Sequence, residues 1–339
     1  MKKIRRSSGI AVALLTAGLV ACSSTPPQTG QTSTPSQASV DAHIAQAQTA
    51  AGTDLQPLMG LCKPDQTAGA SHEQLEAGLA ALMARPAPEP GRAFDNLYFV
   101  GSAWVSAWAI KTSDGIILID ALDNDAEAAQ LIEGGLRKLG MNPQDIRTII
   151  VTHAHGDHYG GVNYLVSRYH PRVVMSEADW TMTETKLEFE SAHWGGVPKR
   201  DVAVKDGDVI TQGDTKVTLY QTPGHTRGTL SPMFDVVANG VRHRALLWGG
   251  TAFNFGKDLP RLDSYIQSTA RMMQVAQSQQ VDVMLSNHAM YDGTVAKLAG
   301  VHAQTAQGSN PFVIGAPAVQ RSLTVMNQCA QATRDRFSL

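Results

Sequence analysis

Three cysteines in 339 residues are too few for a scaffold held by a disulfide framework. Charge of either sign is not in excess either. The chain carries 28 basic and 30 acidic residues, and no clustered basic face that a nucleic-acid partner would need. There is no clear internal repeat. The one long apolar run, Ile10 to Val20, is shorter than the ~20 residues that span a bilayer as a helix. With 43% hydrophobic residues, what is left is a globular chain with a sizeable core, long enough for one large domain or two small ones.

The N-terminus reads as a targeting segment. Met1-Lys2-Lys3-Ile4-Arg5-Arg6 is cationic, Ile10 to Val20 is apolar, and Leu19-Val20-Ala21-Cys22 follows. This resembles a bacterial lipobox, which implies lipidation at Cys22 and export. Ser23 implies the outer membrane, with the chain anchored in the periplasm. An ordinary signal peptide cleaved near Ala21 is the alternative. The expected organisation is a signal segment over 1–22 and a flexible tether over 23–50. A single domain with an N-terminal helical extension then fills 51–339. Ser, Thr, Pro and Gln dominate the tether, and Val40 to Ala51 carries a weak helix signal. Ser71 and Gln74 have capping-box spacing ahead of Leu75, Leu79, Leu82 and Met83. Cys62 and Cys329 could form a disulfide in an oxidising compartment or remain free buried thiols.

The chemistry concentrates in His153-Ala154-His155-Gly156-Asp157-His158. An apolar β-branched run ending at Thr152 reads as a buried strand, and Tyr159 to Leu165 reads as a turn opening a helix. Imidazole and carboxylate suit zinc, and four such groups are too crowded for one tetrahedral ion. His153 and His155 alternate, so they can face one metal. Gly156 lets the chain turn Asp157 and His158 towards a second. Downstream, Pro223-Gly224 forces a turn that presents His225. The strand Val281 to Leu285 ends in Ser286-Asn287-His288. Upstream, Ser113-Asp114-Gly115 is a turn into Ile116-Ile117-Leu118-Ile119-Asp120, a buried strand.

The HxHxDH stretch, the turn at His225, the strand end at His288 and the GIILID strand together resemble the metallo-β-lactamase superfamily, over about Asn96 to Gly300. The resemblance implies an α/β chain folded as a four-layer αββα sandwich. It implies two zinc ions, one held by His153, His155 and His225, the other by Asp157, His158 and His288. Asp157 would also orient the attacking hydroxide, and Asp120 would be structural or lie just behind the ligands. Relatives acting on thioesters and lactones usually carry a bridging aspartate where this chain has Gly250. Its absence resembles the β-lactamase subclass with an all-histidine first position. In that subclass serines near Thr251 hold the substrate carboxylate. Thr251 could serve in part and Phe253 could not. The expected activity is zinc-dependent hydrolysis of the β-lactam amide by a monomer acting on small molecules. A related hydrolase of lactones, thioesters or other acyl compounds is the alternative. Other expectations are a strand from Trp104 to Lys111, a helix from Asp123 to Leu139 weakened by Gly134-Gly135, and a polar helix from Glu177 to Glu190. His193-Trp194-Gly195-Gly196 reads as a surface loop, with a loop over the site as the alternative, and His243 as part of a surface turn.

Overall fold

The computed structural model describes residues 35–64, 69–303 and 309–339. Cys22 and its lipobox lie outside them. Strands β1 (Gly91–Phe94), β2 (Leu97–Phe99), β3 (Trp108–Thr112), β4 (Gly115–Ile119), β5 (Ile146–Ile150), β6 (Arg172–Ser176) and β7 (Val202–Val204) form one sheet in chain order. The pairs from β1 to β4 are antiparallel. From β4 to β7 they are parallel, and each crossover carries helix. Strands β8 (Asp208–Gln212), β9 (Thr215–Gln221), β10 (Leu230–Ala238), β11 (Val241–Trp248) and β12 (Val283–Ser286) form the second sheet. The helix Leu259–Ser278 returns the chain so that β12 lies parallel to β11.

Alternation along the strands builds the layers. Ile117, Ile119 and Ile150 point to one face, where they meet Leu219, Phe234, Leu247 and Leu285 of the second sheet. Their neighbours Ile116, Leu118 and Ile149 point to the other face and pack under Ile132, Leu136, Val162 and Leu165 of the crossover helices. On the second sheet Leu246, Trp248 and Met284 face outward against Leu262, Met272, Leu323 and Met326. Helix, sheet, sheet, helix is the expected αββα order. Burial on both faces explains why β4 and β5 read as unbroken apolar runs.

Several boundaries differ from expectation. The tether does not extend to residue 50. Gln37–Ala51 is a helix with a capping box between Ser36 and Ser39, and it buries Val40, Ala47 and Ala51. It packs in the outer core beside the helix Ala316–Phe337, and Cys62 and Cys329 form a disulfide there. The N-terminal helix is stabilised by a partner far away in sequence, so local composition gave only a weak signal over Val40 to Ala51. The polar helix starting at Glu177 ends at Thr185, and residues 186–201 form an irregular strap with a turn at 192–193. The stretch from Trp104 to Ala107 is not a regular strand, apart from a bridge between Val105 and His288. His243 sits within β11 with Nδ1 2.6 Å from Asp282 Oδ2.

Candidate metal centre

Every cluster residue leaves the C-terminal end of a strand or the turn beside one. β5 ends at Ile150 and delivers His153 to His158, β9 ends at Gln221 before His225, and β12 ends at Ser286 before His288. Backbone bonds stitch these ends together. Leu230 N–H donates to Thr152 at 2.8 Å, Asp120 N–H to Ile150 at 2.9 Å, and Ala121 N–H to His158 at 2.8 Å. Asp179 ties two of the loops. It accepts from Ala154 N–H at 3.0 Å, Thr226 Oγ1 at 2.9 Å and Gly228 N–H at 2.9 Å.

The structure brings all six predicted ligands together. His153 Nε2 and His225 Nε2 are 3.1 Å apart, and His155 Nδ1 is 3.1 Å from the same His225 nitrogen. His158 Nε2 lies 3.3 Å from His288 Nε2 and 3.2 Å from Asp157 Oδ2, and His288 Nε2 is 3.6 Å from that oxygen. All six are buried.

The outer nitrogens decide what the inner ones can do. His153 Nδ1 faces the Gly249 carbonyl at 2.7 Å, and His225 Nδ1 faces that of Ala252 at 2.8 Å. A carbonyl only accepts, so each Nδ1 carries the proton and each Nε2 presents a lone pair. Two lone pairs at 3.1 Å have no proton to share. A cation between them resolves the repulsion, so the donor set fits a metal. His158 Nδ1 meets Asp120 Oδ2 at 2.9 Å, and His288 Nδ1 meets the Trp104 carbonyl at 3.2 Å. These bonds point the second pair of Nε2 atoms inward in the same way.

Electrostatics agree. Burial holds His153 and His225 well below the usual imidazole range, and the neighbouring imidazoles add to this. His288 is pushed down to about 4, chiefly by burial. His158 goes the other way, to about 10: burial opposes its charge, but Asp157 and Asp120 outweigh burial. Two buried carboxylates thus demand positive charge at that nitrogen, where a proton and a metal ion compete. For Asp157 burial is likewise outweighed, by His158 and then His288, so the carboxylate is held ionised.

Other expectations need correction. Gly156 is not a special turn, since it opens the short helix Gly156–Tyr159. Its missing Cβ makes room for Trp194, whose ring would lie 2.4 Å from one. Trp194 Nε1 donates to Asp123 Oδ1 at 3.0 Å, so the His193–Gly196 segment docks on the metal loop and is no free surface loop. Thr251 is buried with its hydroxyl 3.2 Å from that of Ser286, and Phe253 packs edge-on against Tyr265 at 4.7 Å. Sequence reading missed Asp123, Asp179, Glu188, Phe189 and Arg261. Asp123 is pushed up to about 9 by burial and then by Asp157. Phe189 lies edge-on to His155 at 5.0 Å, and Trp104 stacks on His288 at 5.6 Å. No ligand spacing marks any of these. A carboxylate on the strap was legible only as part of a polar helix.

Comparison with known proteins places this geometry. Residues 105–232 match the metallo-beta-lactamase superfamily, a span that holds five of the six cluster residues and leaves out His288. Among curated relatives, the hydroxyacylglutathione hydrolase of Rhodopseudomonas palustris strain HaA2 is 35% identical over 130 residues, 38% of this chain and 42% of that one. That of Francisella tularensis subsp. novicida is 31% identical over 140 residues, 41% and 44% of the two chains. The chain thus spans less than half the length of these relatives. Solved structures cover more. BJP-1, a subclass B3 metallo-beta-lactamase of Bradyrhizobium japonicum, superposes with a TM-score of 0.59 at 28% identity, over 70% of this chain and 90% of that one. FEZ-1 metallo-beta-lactamase from Legionella gormanii gives 0.61 at 23% identity, over 74% and 95%, a likeness of fold. With its two sheets, its converging histidines and this match, the chain carries a metallo-beta-lactamase superfamily domain.

Proposed function

We propose that the chain is a dinuclear zinc β-lactamase, exported and anchored through Cys22. The observation that carries the substrate choice is Gly250. A Cβ there would fall 2.6 Å from the Cβ of His225, so the place where thioester- and lactone-cleaving relatives keep a bridging aspartate is filled by the ligand histidine. The solved β-lactamase structures, which match over most of their length, support the same reading.

His153, His155 and His225 would hold one ion, and Asp157, His158 and His288 the other. Two zinc ions would supply hydroxide at neutral pH and polarise the amide carbonyl. The chain's own groups do the rest. Gly249, Ala252, Trp104 and Asp120 fix the tautomers that aim lone pairs inward. Asp157 stays ionised and offers a carboxylate oxygen beside His158 and His288. Asp123, pushed up to about 9 by burial and then by Asp157, accepts from Trp194 Nε1 and holds the strap against the metal loop. Phe189 and Trp104 wall the two positions with aromatic surface that excludes water.

A thioester-cleaving reading has its own support. The curated relatives bear the name hydroxyacylglutathione hydrolase, and Thr251 turns its hydroxyl to Ser286. Hydrolysis of a chromogenic cephalosporin, a carbapenem and a hydroxyacyl-glutathione thioester by the purified chain, with zinc and with chelator, separates the two. Chelator-sensitive turnover of the lactams is expected. Turnover of the thioester alone by the zinc-loaded chain would overturn the β-lactamase.

A further inference from the structure

Four of the cluster histidines place their outer nitrogen against a backbone carbonyl or Asp120. His155 does not. Its Nδ1 faces the cluster, and its Nε2 is buried with no hydrogen bond. The carboxylate facing that nitrogen is Glu188, with Oε2 3.5 Å away. Glu188 belongs to neither motif loop. It comes from the strap.

Arg261 holds Glu188 in place. Its Nη2 donates to Glu188 Oε2 at 3.0 Å and also to the His225 carbonyl, and its Nε donates to the Gly224 carbonyl at 3.0 Å. The guanidinium lies over the Phe255 ring, 4.2 Å from its centroid. Its own N–H caps onto Asp258 at 3.1 Å. One arginine therefore joins the start of the helix Leu259–Ser278, the loop that carries His225, and the strap. A bare surface ion pair would be worth little. This pair is different, because the arginine side chain is only 14% exposed and the carboxylate meets a buried imidazole nitrogen.

We propose that Glu188 is a positioning residue of the three-histidine position. It accepts the N–H of His155 Nε2, and Arg261 locks that contact to the loop bearing His225. The strap thus completes the first metal position as well as covering it. This rests on the metal-centre reading above. A charged acceptor behind a ligand imidazole fixes its tautomer and raises its basicity, and loss of such a partner typically weakens metal binding by about 10–100-fold.

The test uses the full chain, stripped of metal and titrated with zinc against a chromophoric chelator, with cobalt(II) absorption as a second readout. Wild type should take two equivalents. Glu188→Ala should weaken one of them by about 10–100-fold and alter its cobalt band, leaving the other unchanged. Glu188→Gln should recover much of the loss, because its amide oxygen still accepts. Arg261→Lys should fall between, because an ammonium cannot hold a carboxylate and two carbonyls in one plane. Unfolding of each metal-free variant checks the fold, and the glutamine and lysine variants carry the test if alanine does not fold. Superposable isotherms and spectra would overturn the proposal. So would an equal weakening of both equivalents that tracks lost stability, which marks a structural role. A wild-type chain that takes no metal would overturn the metal-centre reading itself, and this inference with it.

Discussion

Replacing Asp120 with asparagine changes one atom and should disable one of the two proposed metal positions. Asp120 is fully buried and accepts three bonds: Thr152 N–H to Oδ1 at 2.7 Å, and Thr152 Oγ1 and His158 Nδ1 to Oδ2 at 2.9 Å each. It does so with φ at 62°, in the left-handed region that few non-glycine residues adopt. An asparagine can keep its oxygen on Thr152 N–H. Its NH2 then points at His158 Nδ1. A donor there reverses the tautomer, so the proton moves to Nε2, the nitrogen that faces Asp157 and His288. The alternative flip saves the His158 bond and sets NH2 against Thr152 N–H.

Unless the tautomer yields, one buried donor faces another, at a cost of about 1–3 kcal/mol. If the tautomer yields, His158 is lost as a ligand, and binding of one equivalent falls by about 10–100-fold. The measurement is a zinc titration of Asp120→Asn against a chelator of known affinity, beside urea unfolding of the metal-free chain. One weak and one unchanged equivalent is the expected isotherm, with turnover lost in proportion. Two wild-type equivalents in a destabilised protein would refute the tautomer argument and leave Asp120 a purely structural residue.

Gly156→Ala pushes a methyl into the Trp194 ring, so it should cost about 1–3 kcal/mol by overpacking and free the strap; Trp194 fluorescence should report the release, and an unmoved spectrum would contradict the packing. Cleaving the Cys62–Cys329 disulfide, by reductant or by Cys62→Ser, should remove about 2–4 kcal/mol and loosen the N-terminal helix; equal urea midpoints with and without reductant would argue against the link. Asp179 is pushed up to about 6 from 3.8 by burial, against the pull of its donors Thr226, Ala154 and Gly228. The stability it contributes is therefore full below pH 4 and is lost as pH rises through 6. In chelator, wild type should lose up to about 3 kcal/mol relative to Asp179→Asn across that window, and parallel pH curves would dispose of the shift.

What the sequence could show was what recurs locally. HxHxDH, the Pro-Gly turn before His225 and the strand ending in His288 each place a ligand at a strand end, because a buried strand and the turn after it are short-range patterns. The αββα order came from the family resemblance that these motifs carry, and the burial of β4 and β5 on both faces agrees with it. The N-terminal helix showed only as a weak signal and the disulfide only as one of two options, and the strap did not show, because their partners are distant in sequence. The strap is the clearest case. Glu177 to Glu190 has a helix-forming composition, and the helix does begin where Ser176 caps it. It stops at Thr185. Three residues on, the chain carries Glu188 to Arg261 and His155, two partners that no helical continuation is needed to reach.

The same asymmetry bears on what the chain acts on. The ligands are fixed by geometry that six residues and their acceptors determine, and they leave little freedom. Substrate choice depends on what surrounds them, and there local pattern failed: Phe189 on the strap lies against His155, and Trp104 ahead of β3 stacks on His288. Aromatic neighbours and a Thr251 hydroxyl turned to Ser286 offer few donors to a substrate carboxylate. If β-lactams are the substrates, their carboxylate must find its partner elsewhere, and kcat/KM should fall little when Thr251 becomes valine. A loss of a hundredfold or more, about 3 kcal/mol of transition-state binding, would show instead that the hydroxyl rotates away from Ser286 to meet the substrate.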